Sequence, residues 1–448
     1  MDVVPCTFEH EVPDGCVRLL GARQDVVGAM TRVDLSDSSI LVDCGQPQGK
    51  KAVGWRLPQE AQDTEAVVLT HAHLDHISGL PLLLEHFTGP VYATPATLEI
   101  AEHNLVGALG LNRASRRQIT DFRRRLRAGA RSVGYQQALP VGRGGVRLEL
   151  HEAGHILGSA SVELESSAAR VIVSGDLGRP GTPLLRDYET GYRNHRPVDL
   201  VVMESTYGDR SHGKDPSDVV NDLESAIVHA LEDGGHILVP AFSIGRTQTL
   251  LYHLNTLVES GRLPDILVAV DSPMASTITD TYCAHRQLFD DEARALLQSG
   301  DDPLDFEGLY AVSRSYHSRQ LTSIKEPMIL IAGSGMCTGG RIVRHLIELL
   351  PQPETCVLFV GYQAQGTPGR AILRAARGRR GDSVELGGQR VPVRAAVSSL
   401  SGLSAHADRE ELATWVRAIP SVRRLALHHG EREAQLGLAR WLELGLGQ

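Results

Sequence analysis

The sequence predicts an α/β fold with more than one domain, and three observations predict it. Short β-branched or apolar runs stop where polar or glycine residues begin, helical patterns fill the intervals, and 448 residues exceed what one ordinary core accommodates. In chain order the first runs are Ile40 to Val42, Ala66 to Leu69, Val171 to Val173 and Leu200 to Met203, each the length of a buried strand. Ile237 to Val239, Ile266 to Val270, Met328 to Ala332, Val357 to Val360 and Leu425 to Leu427 follow the same rule. Helical periodicity covers Asp218 to Glu232, with Ser217 as N-cap and Gly234 as stop, then Arg246 to Val258 and Asp408 to Ile419. A further helix starts near Gly340, and Pro180 to Pro197, rich in Pro, Gly, Arg and Tyr, reads as a long loop.

Composition narrows the function class. Hydrophobic residues at 42% and charged residues at 22% describe a folded chain rather than a disordered or fibrous one. No run of eighteen apolar residues occurs, and Met1 through Gly15 carries acids where a signal peptide needs a basic flank and an apolar stretch. The expectation is a cytoplasmic protein without a membrane partner. Six cysteines (Cys6, Cys16, Cys44, Cys283, Cys337, Cys356) form no CxxC pair, which argues against a thiolate zinc knuckle and a disulfide framework and leaves them as packed thiols. Histidines number 19 against seven phenylalanines, so the commonest nitrogen ligand for zinc is abundant.

Four candidate metal ligands, three of them histidines, crowd into one short segment. Thr70-His71-Ala72-His73-Leu74-Asp75-His76 directly follows the strand Ala66 to Leu69. Such an HxHxDH pattern arises by chance roughly once in several hundred chains of this length, so it is a signal rather than a solvated loop with incidental histidines. An extended strand end sends residues i and i+2 to one side, so His71 and His73 can share one ion while the following turn aims Asp75 and His76 at a second. Downstream, His155 in Ala153-Gly-His-Ile-Leu-Gly-Ser-Ala160 and Asp176 in Ser174-Gly-Asp-Leu-Gly178 are placed as ligands at strand ends would be. Asp176 can bridge two cations with its two oxygens, and Asp43, after Ile40 to Val42, can orient a ligating histidine through its remaining ring nitrogen.

In order and approximate spacing, Asp43, the HxHxDH segment, Gly154-His155 and Gly175-Asp176 resemble the metal motifs of the metallo-β-lactamase-fold hydrolases. Further matches are Glu204-Ser-Thr-Tyr-Gly-Asp209, Pro240-Ala-Phe-Ser-Ile-Gly-Arg246, Asp271-Ser-Pro-Met274, Gly333-Ser-Gly-Met336, Ser404-Ala-His-Ala-Asp408 and His429-Gly-Glu431. Together these look like the β-CASP branch, whose members process RNA or DNA, and in particular its ribonucleases related to the cleavage and polyadenylation specificity factor endonuclease. The resemblance implies a metallo-β-lactamase αβ/βα sandwich over residues 1–207, an inserted α/β β-CASP domain over 208–393, and a return to the first domain over 394–448. It further implies two zinc ions. His71, His73 and His155 would hold one, Asp75, His76 and His429 the other, with Asp176 and a hydroxide between them. The doubled His428-His429 offers two positions for the last ligand, and His429, directly before Gly430-Glu431, is favoured. Glu204 matches the branch's first acidic motif and His406 its histidine motif, proposed to protonate the leaving oxygen; Asp75, Glu204 and His406 form the catalytic set.

A dinuclear centre of this kind can lower the pKa of a shared water and offset charge on a phosphate in an in-line displacement. A leaving ribose 3′-oxygen benefits from protonation, so a histidine acid held by a carboxylate is a sensible partner, giving a 5′-phosphate and a 3′-hydroxyl. Net charge of −9 runs against nucleic-acid binding, but its distribution does not. Between Arg113 and Arg131 lie eight arginines against one aspartate, and Arg370, Arg374, Arg377, Arg379 and Arg380 form a second cluster. Aromatic residues are 4% of the chain and are not interleaved with these arginines, so base stacking is not the expected grip. Gly333-Ser-Gly335 sits between a strand and a helix, which suits Ser334 and Gly335, with Arg246, for phosphate contacts. The expected partner is RNA, single-stranded, cut endonucleolytically or trimmed 5′ to 3′, with a homodimer as an open assembly state. A DNA nuclease of the same branch, a thioester or lactam hydrolase and a non-catalytic RNA-binding scaffold are the competing readings.

Overall fold

The computed structural model describes residues 1–4, 6–194, 196–213, 216–378, 382–400 and 402–444. They group into two compact units, Met1–Ser211 with Ala405–Gln448, and His212–Ser404.

The first unit holds two seven-stranded sheets. One runs in chain order through Glu9–Val12, Gly15–Leu19, Thr31–Leu35, Ser38–Val42, Ala66–Val68, Val91–Ala93 and Ala130–Ser132, antiparallel to Ser38–Val42 and parallel beyond it. The other is ordered Asp2–Val4, Arg424–His428, Leu200–Glu204, Arg170–Val173, Ala160–Glu165, Val146–Glu152 and Leu139–Val141. Side chains alternate between the faces of a strand. Val33, Ile40, Val42 and Val68 of the first sheet therefore meet Leu148, Val162, Val171 and Val202 of the second in one apolar cluster. Their neighbours Ile172, Val201, Met203 and Leu425 face the opposite way, onto Leu412, Trp415, Val416 and Leu438 of the helices Arg409–Ala418 and Arg432–Leu444. With the helices Pro95–Leu111 and Arg116–Gly129 against the first sheet, the order of layers is αβ/βα. Each fully buried Val or Leu contributes about 1.5–3 kcal/mol. Burial on both faces explains why the central strands read as continuous apolar runs.

The second unit is built on six parallel strands ordered Leu309–Ala311, Leu267–Val270, Met328–Ala332, Ile237–Pro240, Cys356–Phe359 and Ala396–Ser399. All nine apolar runs of the sequence fall on strands. Two expectations need adjusting. The helix Pro216–Glu232 starts at a proline, which is preorganised for the first helical position, so Ser217 lies inside its first turn and is not its cap. Ala396–Ser399 pairs with Cys356–Phe359, so the chain stays with the inserted unit through Ser404, beyond the return at 394 read from the sequence. No helix or strand occurs among the described residues of 180–197. All six cysteines are free thiols, four of them buried.

Candidate metal centre and active site

Strand ends build the site. After Ala66–Val68 the chain extends through Thr70 and His71 to His73, which stands at the N-terminus of the short helix Leu74–Ile77; that turn aims Asp75 and His76. Arg170–Val173 ends four residues before Leu177, delivering Asp176, and Leu200–Glu204 delivers Glu204 as its last residue. Arg424–His428 ends just before His429, whose backbone turns into the left-handed region at φ 46°. Gly178 makes close approach possible here. A Cβ on it would sit 1.8 Å from the Gly154 carbonyl oxygen, so only glycine lets the Asp176 segment lie against the one carrying His155.

The ten residues from Asp43, His71, His73, Asp75, His76, His155, Asp176 and Glu204 to His406 and His429 come together in the first unit. His73 Nδ1 lies 3.1 Å from Nε2 of both His71 and His155. Asp176 Oδ2 is 3.6 Å from each of those two Nε2 atoms, while its Oδ1 is 3.3 Å from His76 Nε2 and 3.2 Å from His429 Nδ1. Asp75 Oδ2 is 3.6 Å from His429 Nε2. Two donor groups result, His71, His73, His155 and Asp176 in one, Asp75, His76 and His429 in the other, each with its ligand atoms within 4.8 Å of one another. His428 points elsewhere, its Nε2 donating to the Gly21 carbonyl at 2.7 Å.

The donor chemistry fits a pair of divalent cations. Among the described residues, the buried His76 Nε2, His429 Nε2 and Asp176 Oδ1 have no hydrogen-bond partner. Burial pushes His71 and His155 well below the usual imidazole range and lowers His73, leaving neutral rings with lone pairs to share. Burial would raise Asp176 and Asp75, but the facing histidines win: Asp176 sits well below the usual carboxylate range and Asp75 at about 2. His76 and His429 shift upward, because Asp176 and the neighbouring carboxylates outweigh their burial. Imidazole nitrogens and carboxylate oxygens without a thiolate suit zinc, and also manganese or iron.

Supporting groups hold the donors in place. Asp43 Oδ2 accepts from His76 Nδ1 and from Thr70 Oγ1, each at 2.7 Å, and its Oδ1 accepts from the Thr70 N–H at 2.8 Å. His155 Nδ1 donates to the Ala405 carbonyl at 3.1 Å. Glu204 is buried and accepts from the Leu177 N–H at 2.7 Å and the Thr206 N–H at 3.2 Å. His406 Nδ1 is 3.3 Å from Glu204 Oε1. Its ring packs against His155 with centroids 4.5 Å apart and meets the Tyr207 ring edge-on at 5.8 Å.

Sequence reading missed Thr70, Tyr207 and the Ala405 carbonyl. Thr70 and Tyr207 were in view as members of motifs, but a backbone carbonyl has no side-chain signature. The phosphate candidates lie in the second unit, Arg246 as the first residue of the helix Arg246–Glu259 and Ser334 with Gly335 after the strand Met328–Ala332. Arg116–Gly129 forms a largely exposed basic helix, tied down in part by Arg123 and Arg127 on Glu102. In the second arginine cluster, Arg379 and Arg380 lie outside the described residues.

Comparison with known proteins gives matches along nearly the whole chain. Residues 24–236 match the Metallo-beta-lactamase superfamily, 247–372 the Beta-Casp domain, and 390–447 the Zn-dependent metallo-hydrolase RNA specificity domain. Among curated proteins, Ribonuclease TTHA0252 of Thermus thermophilus is 36% identical over 95% of both chains. An RNase J-like protein of Methanocaldococcus jannaschii is 26% identical over 94% of this chain and 93% of its own. Transcription termination factor FttA of Cenarchaeum symbiosum is 30% identical, covering 90% of this chain and 64% of its own length. A crystal structure titled a protein of unknown function from Enterococcus faecalis V583 superposes with a TM-score of 0.53 at 14% identity, over 94% of this chain and 95% of that one, a likeness of fold alone.

Proposed function

Since the chain belongs to the metallo-β-lactamase superfamily, within its β-CASP branch, we propose that it is a zinc-dependent ribonuclease. It hydrolyses phosphodiester bonds of single-stranded RNA to 5′-phosphate and 3′-hydroxyl ends, by internal cutting, 5′-to-3′ trimming or both, in the cytoplasm and as a monomer or homodimer. The observation that carries the reading is the buried cluster of seven ligand side chains with the His406–Glu204 pair beside it. Likeness to a ribonuclease over 95% of both chains supports RNA as the substrate.

When bound, two zinc ions supply Lewis acidity, lowering the pKa of a water and offsetting the charge that accumulates on the phosphate. His71, His73 and His155 would hold one ion with neutral nitrogens and Asp75, His76 and His429 the other, and Asp176, whose two oxygens lie near both groups, would be shared between them. Asp75 keeps a place in the catalytic set as well as among the ligands. With Nδ1–H of His406 directed at Glu204, Nε2 holds the proton that the departing 3′-oxygen takes. Glu204, pinned by two backbone N–H groups, keeps that imidazole charged and in register.

Purified protein with zinc, offered end-labelled single-stranded RNA, matched DNA and a chromogenic lactam and thioester, tests the reading. RNA cleavage without the others supports it, and the ladder or mononucleotide pattern reports the cutting mode. Turnover of DNA or of the small substrates in place of RNA overturns it.

A further inference from the structure

Aromatic rings large enough to bury 150–250 Å² each belong in a core, so those left outside it are informative. In the second unit Phe242 is 42% and Tyr362 56% exposed. They are far apart in sequence, yet the sheet sets them side by side in topology. Ile237–Pro240 lies between Met328–Ala332 and Cys356–Phe359, all parallel. Phe242, Gly335 and Tyr362 follow these three strands at their carboxyl ends, the edge at which open α/β sheets take ligands.

The backbone beneath the rings is fixed. Thr247 Oγ1 donates to the Phe242 carbonyl at 2.7 Å. The Phe242 ring lies over Gly335 so closely that a Cβ there would come within 2.8 Å of it. Gln363, next to Tyr362, donates from Nε2 to the carbonyls of Gly335 at 2.8 Å and Gly361 at 3.2 Å. The Phe242 ring and the Gln363 side chain thus both rest on Gly335, and both Phe242 and Tyr362 keep exposed surface. Phe8, the other exposed phenylalanine, is covered by the Arg23 guanidinium 5.8 Å from its centroid, whereas among the described residues neither Phe242 nor Tyr362 meets a ring or a cation.

The helix that follows Tyr362 in the chain is basic. The helix Pro368–Arg377 begins a few residues after Tyr362 and buries Gly369, Ile372 and Ala375. Arg370, Arg374 and Arg377 recur at helical spacing on another face, and among the described residues none of them is in an ion pair. Exposed rings and arginines without ion pairs in one unit match a chain of bases and phosphates better than an apolar peptide.

We propose that Phe242 and Tyr362 form a base-stacking platform for single-stranded RNA, with Arg370, Arg374 and Arg377 taking the adjoining phosphates. The proposal rests on the reading of RNA as substrate and names how this unit grips it. Stacking of this kind tolerates any base, so the platform supplies affinity and orientation without sequence preference.

The zinc-loaded full chain tests it, with an oligoadenylate and bis(p-nitrophenyl) phosphate as paired substrates. Phe242→Ala and Tyr362→Ala should each raise KM for the oligoadenylate about 5- to 150-fold, the worth of one stacked base, and leave hydrolysis of the small diester unchanged. Phe242→Tyr and Tyr362→Phe, which keep a ring, should restore the KM. Both rings are exposed, so the alanine variants should melt with the parent protein. An unchanged KM in the alanine variants overturns the platform while RNA stands as substrate. Failure of the unmodified protein to cleave the oligoadenylate removes the substrate reading and the platform with it.

Discussion

His406 Nδ1 lies 3.3 Å from Glu204 Oε1, though 202 residues separate them along the chain. Burial alone would lower the His406 pKa, but the Glu204 carboxylate, helped by Asp176, lifts it to about 10. A general acid works while protonated, so its rate falls as pH rises through that pKa. Replacing Glu204 by Gln removes the negative charge and lowers the His406 pKa, so the alkaline fall of kcat/KM should begin at lower pH. His406→Ala should lose roughly 10²- to 10⁴-fold in rate and keep its metal by elemental analysis. An alkaline limb that stays in place in Glu204→Gln would separate the two residues functionally.

Asp43 is buried, fixes His76 through Nδ1 and ties Thr70 twice. In Asp43→Asn an amide N–H can point at the His76 N–H, which breaks the contact while suiting the left-handed backbone at φ 61°. Metal affinity should fall about 10- to 100-fold, read by competition with a chromogenic chelator. Affinity equal to the parent would show that His76 needs no such support.

The adjacent histidines should behave as opposites. Burial pushes His428 down to about 3, so it stands neutral and bonded to Gly21. His428→Ala strands the half-buried Gly21 carbonyl and should cost about 1–3 kcal/mol in urea unfolding with metal content intact. His429→Ala should instead lower the metal-to-protein ratio. The reverse pattern would move the last ligand to His428.

Chelation should destabilise the fold. Cations that bind the folded cage and not the unfolded chain add about 2.7 kcal/mol at a hundred times Kd. EDTA should therefore lower the melting temperature, with recovery on adding zinc, and a melting temperature indifferent to chelator would argue against a structural share for the ions.

The sequence made the strands legible because parallel, doubly covered strands must be apolar throughout, and Ala66–Val68 or Met328–Ala332 have no other reading. HxHxDH was legible because four ligands in six positions are rare by chance. His429 and His406 were reachable only through resemblance, since nothing local distinguishes a histidine after a strand from any other. Ala405 and Thr70 act through a carbonyl and a hydroxyl that composition does not mark. Phe242 lay in view within the Pro240–Arg246 motif but Tyr362 in none, and the two are brought together only through the strand order of the second sheet. The compact units divide after Ser404, a few residues beyond the return expected at 394, because Ala396–Ser399, a short edge strand without a strong apolar pattern, pairs with Cys356–Phe359.

Arg424–His428 is wedged between Asp2–Val4 and Leu200–Glu204, pairing with both. A nascent chain can fold the inserted unit as soon as that unit has emerged. Its first sheet sandwich, however, waits with a slot beside its opening strand until Arg424–His428 has left the ribosome. Until that strand slides in, the growing polypeptide lacks the His429 imidazole of the donor cluster, so the site cannot be complete before the inserted unit has been made.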